Sequence, residues 1–117
     1  MLDRGANRGI LGNDAKIIRE YDNKVDAISI NQHILQELPI VDGAAVIETN
    51  KGPIIAVFRQ YAYHGMFNTI HSTLQLEQHH NHVNDTPIKL GGTQRLTTSS
   101  GYTIPLDISQ GLPYMQM

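Results

Sequence analysis

The sequence predicts an all-β domain that contains one short helix. Ten glycines and five prolines separate short runs of β-branched and apolar residues, a pattern typical of all-β domains. One stretch, residues 72–83, instead places its larger side chains at helical spacings of three and four. The length of 117 residues corresponds to a single domain over residues 1–117, large enough to bury an ordinary core.

The first predicted element is a hairpin over about residues 28–41. Ile28-Ser29-Ile30 alternates as a strand does, the polar Asn31-Gln32-His33 interrupts the pattern, and an apolar run ending at Val41 resumes it. We therefore expect two strands joined by an exposed polar tip.

A second hairpin is predicted over residues 44–58. Its turn is Asn50-Lys51-Gly52, where glycine supplies the positive φ that tight hairpin turns require. The run from Pro53 to Phe58 is continuously apolar, which predicts a second strand buried on both faces.

The second half of the chain contains the helix and the closing strands. Ser72 is a suitable N-cap for a helix over about residues 72–83, in which Leu76 and Val83 lie on one stripe. Further strands are predicted over residues 88–115, beginning with Ile88-Lys89-Leu90 and separated by glycine-containing turns.

Composition excludes several function classes. A formal net charge of −2 and a pI near 6.3 leave no electrostatic basis for binding nucleic acid or an anionic membrane. The absence of cysteine excludes a disulfide framework, a thiol nucleophile and thiolate metal sites. No apolar run approaches the roughly 18 residues that a membrane-spanning helix needs. We expect an intracellular protein with no nucleic-acid or membrane partner.

The start of the chain carries the clearest chemical pattern. Asp3 follows an apolar residue and stands before Gly5 and Ala6, which are small enough to let a tight turn double back. Aspartic peptidases present their catalytic carboxylate on such a turn, and their chemistry needs two carboxylates that share a proton. Because this chain supplies one copy, an enzyme of this kind requires a symmetric homodimer.

Four segments in the same order resemble the retropepsin-like aspartic peptidases of copia-type retrotransposon polyproteins, including elements of algal and diatom type. Each segment is similar to a family motif, and the resemblance as a whole extends over most of the chain. They are Asp3-Arg4-Gly5-Ala6-Asn7, Gln60-Tyr61-Ala62-Tyr63-His64-Gly65, Thr69-Ile70-His71-Ser72-Thr73-Leu74-Gln75-Leu76, and the tail from Gly101-Tyr102-Thr103-Ile104-Pro105-Leu106 to Gly111-Leu112-Pro113-Tyr114.

This resemblance implies a small retropepsin-like barrel, a symmetric homodimer and an aspartic endopeptidase that needs no cofactor. It implies that Asp3 is catalytic, that Arg4, Gly5, Ala6 and Asn7 form the active-site loop, and that Ile70, His71 and Ser72 pack beneath that loop. It further implies a flap that covers an extended polyprotein peptide with Asn31, Gln32, His33 and Ile34. The closing strands, residues 102–114, are the expected dimer interface, and the cytoplasm or a virus-like particle is the expected location.

Two residues depart from the family pattern at the site. Arg4 stands where the family has Ser or Thr, and a guanidinium cannot replace a short hydroxyl brace across the dimer axis. If Arg4 pairs with Asp3, the carboxylate is locked in its ionised form and the dimer is a silent scaffold or peptide-binding module. Otherwise Arg4 is a solvated or interface arginine that forms an ion pair, for example with an acidic group of the other subunit, or it acts on a substrate carboxylate or developing charge. His71 replaces an apolar residue and is either a buried hydrogen-bonding histidine or a group that titrates beside Asp3.

A third possibility is a histidine-rich metal-binding β module. Histidines cluster late in the chain, and His79 and His82 are three residues apart, so a helix would place them on one face. No acidic or cysteine ligand set accompanies them, and adjacent histidines on a helix diverge. We therefore predict no metal site. The cluster consists of His64, His71, His79, His80 and His82.

Overall fold

The structure, a computed structural model, describes residues 1–6, 8–28 and 34–117, with the backbone alone for residues 27–28 and 34–36. About 55% of the chain is strand and 8% is helix, which confirms the all-β class. The strands are β1 Leu2–Asp3, β2 Ile10–Leu11, β3 Lys16–Ile28, β4 Ile34–Thr49, β5 Gly52–Tyr63, β6 His71–Ser72, β7 His82–Asn84, β8 Arg95–Thr97, β9 Thr103–Pro105, β10 Asp107–Ser109 and β11 Leu112–Tyr114. The helix α1 is Thr73–Gln78, and a 3₁₀ helix covers Ile88–Leu90.

The largest sheet has the strand order β2-β5-β4-β3. The second predicted hairpin lies at its centre, since β4 and β5 pair antiparallel from Ala44 opposite Val57 to Thr49 opposite Gly52. Gly52 has a φ of 95° at the turn, as its position in the sequence predicted. This hairpin is therefore determined by local turn chemistry.

The first hairpin is much longer than predicted. β3 and β4 pair from Ile28 opposite Ile34 to Lys16 opposite Ala44, so the predicted segment 28–41 is only its far part. Residues 29–33, including the predicted polar tip, lie outside the described residues. The first part of β3 escaped prediction because it lacks alternation: consecutive residues Ile17 and Ile18 are both exposed, so backbone pairing rather than burial makes it a strand.

A buried carboxylate joins the three long strands. Asp42 on β4 is 1% exposed and accepts hydrogen bonds from the Gln60 amide on β5 at 2.9 Å and the Tyr21 hydroxyl on β3 at 3.0 Å. Gln60 has a φ of 58°, and the register between β4 and β5 shifts at this point. Gln60 belongs to a β-bulge in β5, and its amide would be unpaired without Asp42. Asp42 thus stabilises this bulge.

The outer face of β5 corrects one expectation. The continuous apolar run predicted burial on both faces, but Ile55 is 73% exposed and Val57 is 43% exposed. The alternate residues Ile54 and Phe58 pack against the core. The reason is that the described structure places no layer over that face of the hairpin, so β5 is buried on one side only.

The helix is also shorter than the predicted 72–83. Ser72 caps it as expected, because its Oγ accepts a hydrogen bond from the Gln75 amide at 3.1 Å. His80 then adopts a φ of 67°, and β7 begins at His82. Val83 is buried because β7 pairs with β8, so its spacing from Leu76 fitted a helix by coincidence.

The strand predicted at Ile88-Lys89-Leu90 was wrong, because these residues form a 3₁₀ helix. Pro87 precedes the turn and Gly91 closes it with a φ of 89°. Ile88 and Leu90 are 67% and 74% exposed, so their apolar character does not reflect burial in a sheet. The later strands, β8 to β11, fall within the predicted region 88–115.

One hydrophobic core serves elements from both ends of the chain. Its buried members come from β1, β2, the long hairpins, β7, β8, β9 and the residues that flank β10 and β11, and they include residues as distant in sequence as Leu2 and Met115. The members are Leu2, Leu11, Val41, Ile47, Phe58, Tyr61, Val83, Leu96, Ile104, Leu106 and Met115.

Candidate active site

The short parallel pairing of β1 with β6 positions Asp3. Leu2 lies opposite His71 and Asp3 opposite Ser72, so the first residues of the chain run beside the strand that leads into α1. Leu2 is 2% exposed and anchors β1 in the core, whereas Asp3 is only half-buried. The structure therefore places a water-accessible carboxylate at the end of a buried strand.

The turn after Asp3 is closed by its own side chain. Asp3 Oδ1 accepts a hydrogen bond from the Gly5 amide at 2.8 Å, and the Ala6 amide approaches the Asp3 carbonyl oxygen at 3.4 Å. A Cβ atom at Gly5 would lie 3.3 Å from Asp3 Oδ1, so a larger residue here would require the Asp3 side chain to shift by a few tenths of an ångström. One carboxylate oxygen is thus fixed by the turn. Asn7, also predicted for this loop, lies outside the described residues.

Ser72 braces this turn from below. Its Oγ donates to the Ala6 carbonyl oxygen at 2.5 Å and accepts from the Gln75 amide at 3.1 Å. The side chain of Gln75 in turn accepts from the Gly9 amide at 3.1 Å. The N-cap and first turn of α1 therefore hold the chain on both sides of the turn after Asp3.

Arg4 points away from Asp3 and towards two acidic residues of the same chain. Its Nε lies 2.9 Å from Asp85 Oδ2, and its Nη1 lies 2.9 Å from Glu77 Oε1. The hydrogen bond with Asp85, and to a smaller extent that with Glu77, raises the pKa of Arg4 above its ordinary value. No contact between the guanidinium and Asp3 occurs in the described part of the chain, so the silent-site hypothesis lacks the ion pair that it requires.

His71 is a buried histidine with a partner on each ring nitrogen. Its Nδ1 lies 2.9 Å from the Tyr61 hydroxyl, and its Nε2 lies 3.1 Å from Met117 Sδ. Complete burial lowers the pKa of His71 from 6.5 to about 3, and burial also raises the pKa of Tyr61. His71 is therefore neutral at physiological pH. Of the two possibilities, the hydrogen-bonded histidine fits the structure.

Ile70 contributes through its backbone. It exchanges two hydrogen bonds with Ile10, at 2.8 and 2.9 Å, and so joins β2 to the segment before β6. Its side chain is half-buried. Ile70 thus helps to hold the strand after the Asp3 loop in place.

Thr69 and Asp14 were not anticipated from the sequence. Thr69 is 1% exposed, its Oγ1 donates to Asp14 Oδ1 at 2.6 Å, and it accepts from the Gly12 amide at 2.9 Å. The partners are 55 and 57 residues apart, so no local pattern indicates the pairing. Together they tie the segment after β2 to the segment before β6.

The predicted flap residues are only partly described. Asn31, Gln32 and His33 lie outside the described residues. Ile34 begins β4, and its backbone pairs with Ile28 of β3. The flap remains a prediction that these contacts do not test.

The helix assumption behind the histidine cluster was wrong. His79 is the C-cap of α1, whereas His82 belongs to β7, so the two do not share a helical face. In the ranges that the structure describes, no group of three or more His, Cys, Asp or Glu side chains is arranged to hold a metal ion.

The candidate site consists of one accessible carboxylate on a turn held by β6, α1 and an outward-facing arginine.

No helix in the described ranges is both long and apolar enough to cross a membrane. Comparisons with protein families, with curated proteins and with solved structures found no match to this chain.

Proposed function

We propose that the protein is an aspartic endopeptidase of the retropepsin-like type found in retroelement polyproteins. In this proposal a homodimer brings two Asp3 carboxylates together, and they activate a water molecule that hydrolyses a peptide bond. The observation that carries the proposal is the Asp3 turn, where a half-buried carboxylate ends β1 next to the buried Leu2 and is not paired with the neighbouring arginine.

The chemistry requires the two carboxylates to share one proton. The ionised carboxylate takes a proton from water as the water oxygen attacks the scissile carbonyl carbon, and the protonated carboxyl donates its proton to the carbonyl oxygen. Proton transfer to the amide nitrogen then lets the C–N bond break, which leaves a free acid and a free amine. Asp3 is suited to this role because the Gly5 amide engages Oδ1, whereas Oδ2 accepts no hydrogen bond from the described residues.

The homodimer has a candidate interface next to the site. β11, Leu112–Tyr114, packs against β1, and β10 pairs antiparallel with β11. An interface built from these closing strands would lie beside the strand that carries Asp3. A symmetric contact there would bring the same turn of each subunit towards the two-fold axis.

The substrate class that fits this site is an extended peptide within a polyprotein. A strand-like peptide can hydrogen-bond through its backbone to a hairpin that covers it, which is the role we assign to the far end of the β3–β4 hairpin. A cytoplasmic or particle-enclosed location is part of this proposal, because polyproteins of retroelements are processed there.

The test is peptide cleavage by the parent protein and by Asp3→Asn. Asparagine has the same shape and its side-chain oxygen can still accept from the Gly5 amide, so the fold is expected to survive while proton transfer is lost. Asp22→Asn is the matched control, since Asp22 is an exposed residue of β3. A mixed peptide library would be incubated between about pH 4 and pH 7 and the products identified by mass spectrometry.

We expect cleavage by the parent and by Asp22→Asn, inhibition by a pepstatin-like transition-state mimic, and no cleavage by Asp3→Asn. Equal cleavage by Asp3→Asn would identify a contaminating peptidase. A stable dimer that cleaves nothing in any form would contradict the proposal and favour the scaffold alternative.

A further inference from the structure

We propose that Arg4 is a positioning residue of the Asp3 site, because its ion pairs with Glu77 and Asp85 hold the Asp3 turn from within the same subunit. This inference rests on the proposed function, since it concerns how the Asp3 carboxylate is oriented for catalysis. The effect of the Arg4 contacts on the turn can be measured by hydrogen exchange, without any enzymatic assay.

The contacts of Arg4 reach α1, β7 and Asp85, the residue that follows β7. Besides the Nε contact with Asp85, Nη2 approaches Asp85 Oδ1 at 3.3 Å, so the guanidinium holds that carboxylate with two nitrogens. Nη1 binds Glu77 on α1, and Nη2 lies 3.5 Å from the Val83 carbonyl oxygen on β7. The turn that presents Asp3 is thereby joined to the helix and to the strand that follows it.

The contacts of Arg4 favour a role in positioning Asp3 over a role in stabilising the whole fold. The side chains of Arg4 and Glu77 are 51% and 38% exposed, and ion pairs exposed to this degree contribute little to the free energy of unfolding. The two-nitrogen contact with Asp85 nevertheless fixes the direction of the Arg4 side chain, because a planar guanidinium meets a carboxylate in a defined orientation. A lysine would retain the charge and lose that direction.

The restraint acts on Asp3 because Arg4 is the next residue. The turn is held from below by Ser72 through the Ala6 carbonyl oxygen and from the side by Arg4. Between these two attachments lies the Gly5 amide, which donates to Asp3 Oδ1. Release of Arg4 is therefore expected to loosen the Gly5 hydrogen bond first and the carboxylate orientation with it.

The contacts of Arg4 differ from a hydrogen bond made between subunits across the dimer axis. All of the contacts described for Arg4 are within one chain, so the turn is held before two subunits meet. The Gly5 amide is accordingly expected to be protected in a single subunit as well as in the dimer.

The test compares Arg4→Gln, Arg4→Lys and Asp85→Asn with the parent protein. Arg95→Gln is the matched control, because Arg95 is an exposed arginine on β8. Two measurements are made on each: hydrogen exchange of the Gly5 amide by NMR, and kcat and KM for a peptide that the parent cleaves. The thermal unfolding midpoint of each variant checks that it is folded.

We expect Arg4→Gln and Asp85→Asn to speed exchange of the Gly5 amide about tenfold and to lower kcat about tenfold, with KM changed less than about twofold, since small misplacements of a catalytic group act on the transition state. Arg4→Lys is expected to recover part of this loss, and Arg95→Gln to resemble the parent. The double variant Arg4→Gln/Asp85→Asn is expected to equal Arg4→Gln, because Arg4→Gln already removes the contacts between Arg4 and Asp85.

Unchanged Gly5 exchange in folded Arg4→Gln and Asp85→Asn would overturn the inference, as would a larger KM with kcat intact. If the parent cleaves no peptide, the proposed function fails, and Gly5 exchange alone still decides whether Arg4 holds the turn. If Arg4→Gln does not fold, the same measurements are made on Arg4→Lys and Asp85→Asn, and they decide the inference.

Discussion

The hydroxyl of Ser72 links the N-terminus of the helix to the turn that carries Asp3. Its oxygen lies 2.5 Å from the Ala6 carbonyl oxygen, to which it donates, and 3.1 Å from the Gln75 amide, from which it accepts. One completely buried side chain therefore both caps α1 and fixes the loop of the candidate site.

Ser72→Ala is predicted to destabilise the protein by about 2 kcal/mol, since it removes an N-cap and leaves a carbonyl oxygen without its partner. Urea unfolding would measure the change, with Ser99→Ala as the control because Ser99 is exposed in a turn. A loss no greater than that of the control would show that the Ser72 contacts contribute little to stability.

His71 is predicted to make folding stability depend on pH in the acid range. Its pKa is about 3 in the folded protein and about 6.5 when unfolded, so the unfolded chain binds the proton more tightly. The stability associated with neutral His71 is fully present above the unfolded pKa and is lost as the pH falls towards the folded pKa. Between pH 7 and pH 5 the parent is expected to lose about 2 kcal/mol through this group.

The His71 prediction is tested by urea unfolding of the parent and of His71→Gln across this pH range. Glutamine stays neutral at every pH, so the difference in free energy of unfolding between parent and variant is expected to shrink as the solution is acidified. His79→Gln, at an exposed position, is the control. Parallel pH profiles for the parent and His71→Gln would contradict the prediction.

Asp42→Asn is predicted to cost about 3 kcal/mol, because the buried carboxylate accepts hydrogen bonds from two other strands and the amide cannot accept them all. Tyr21→Phe removes one of those donors and is expected to cost about 1 kcal/mol. Urea unfolding of both single variants and of the double variant would measure their coupling. Additive losses would mean that the Tyr21 hydroxyl and Asp42 do not act on each other, contrary to their 3.0 Å separation.

Some of the fold follows from neighbouring residues alone. The all-β class, the β4–β5 hairpin with positive φ at Gly52, and the Ser72 cap each depend on residues close together in the chain. The tight Asp3 turn was also predictable, because Gly5 and Ala6 next to an aspartate allow the side chain to bond its own backbone.

Other features depend on distant pairing and gave no local signal. Val83 fitted a helical stripe, yet its burial comes from pairing with Leu96 in a strand. The run at Ile88 had strand composition, but the flanking Pro87 and Gly91 made a 3₁₀ turn. Ile55 looked like a core residue, and only the arrangement of layers leaves it exposed.

The chain by itself therefore determined a β-rich domain with a carboxylate on a glycine turn, because turns, caps and periodicity are properties of adjacent residues. Only the tertiary structure decided what surrounds that carboxylate. Arg4 meets Glu77 and Asp85 across 73 and 81 residues, and His71 is enclosed by Tyr61 and Met117. Such contacts depend on which strands lie side by side, and strand pairing is fixed by burial of the whole core rather than by any short segment.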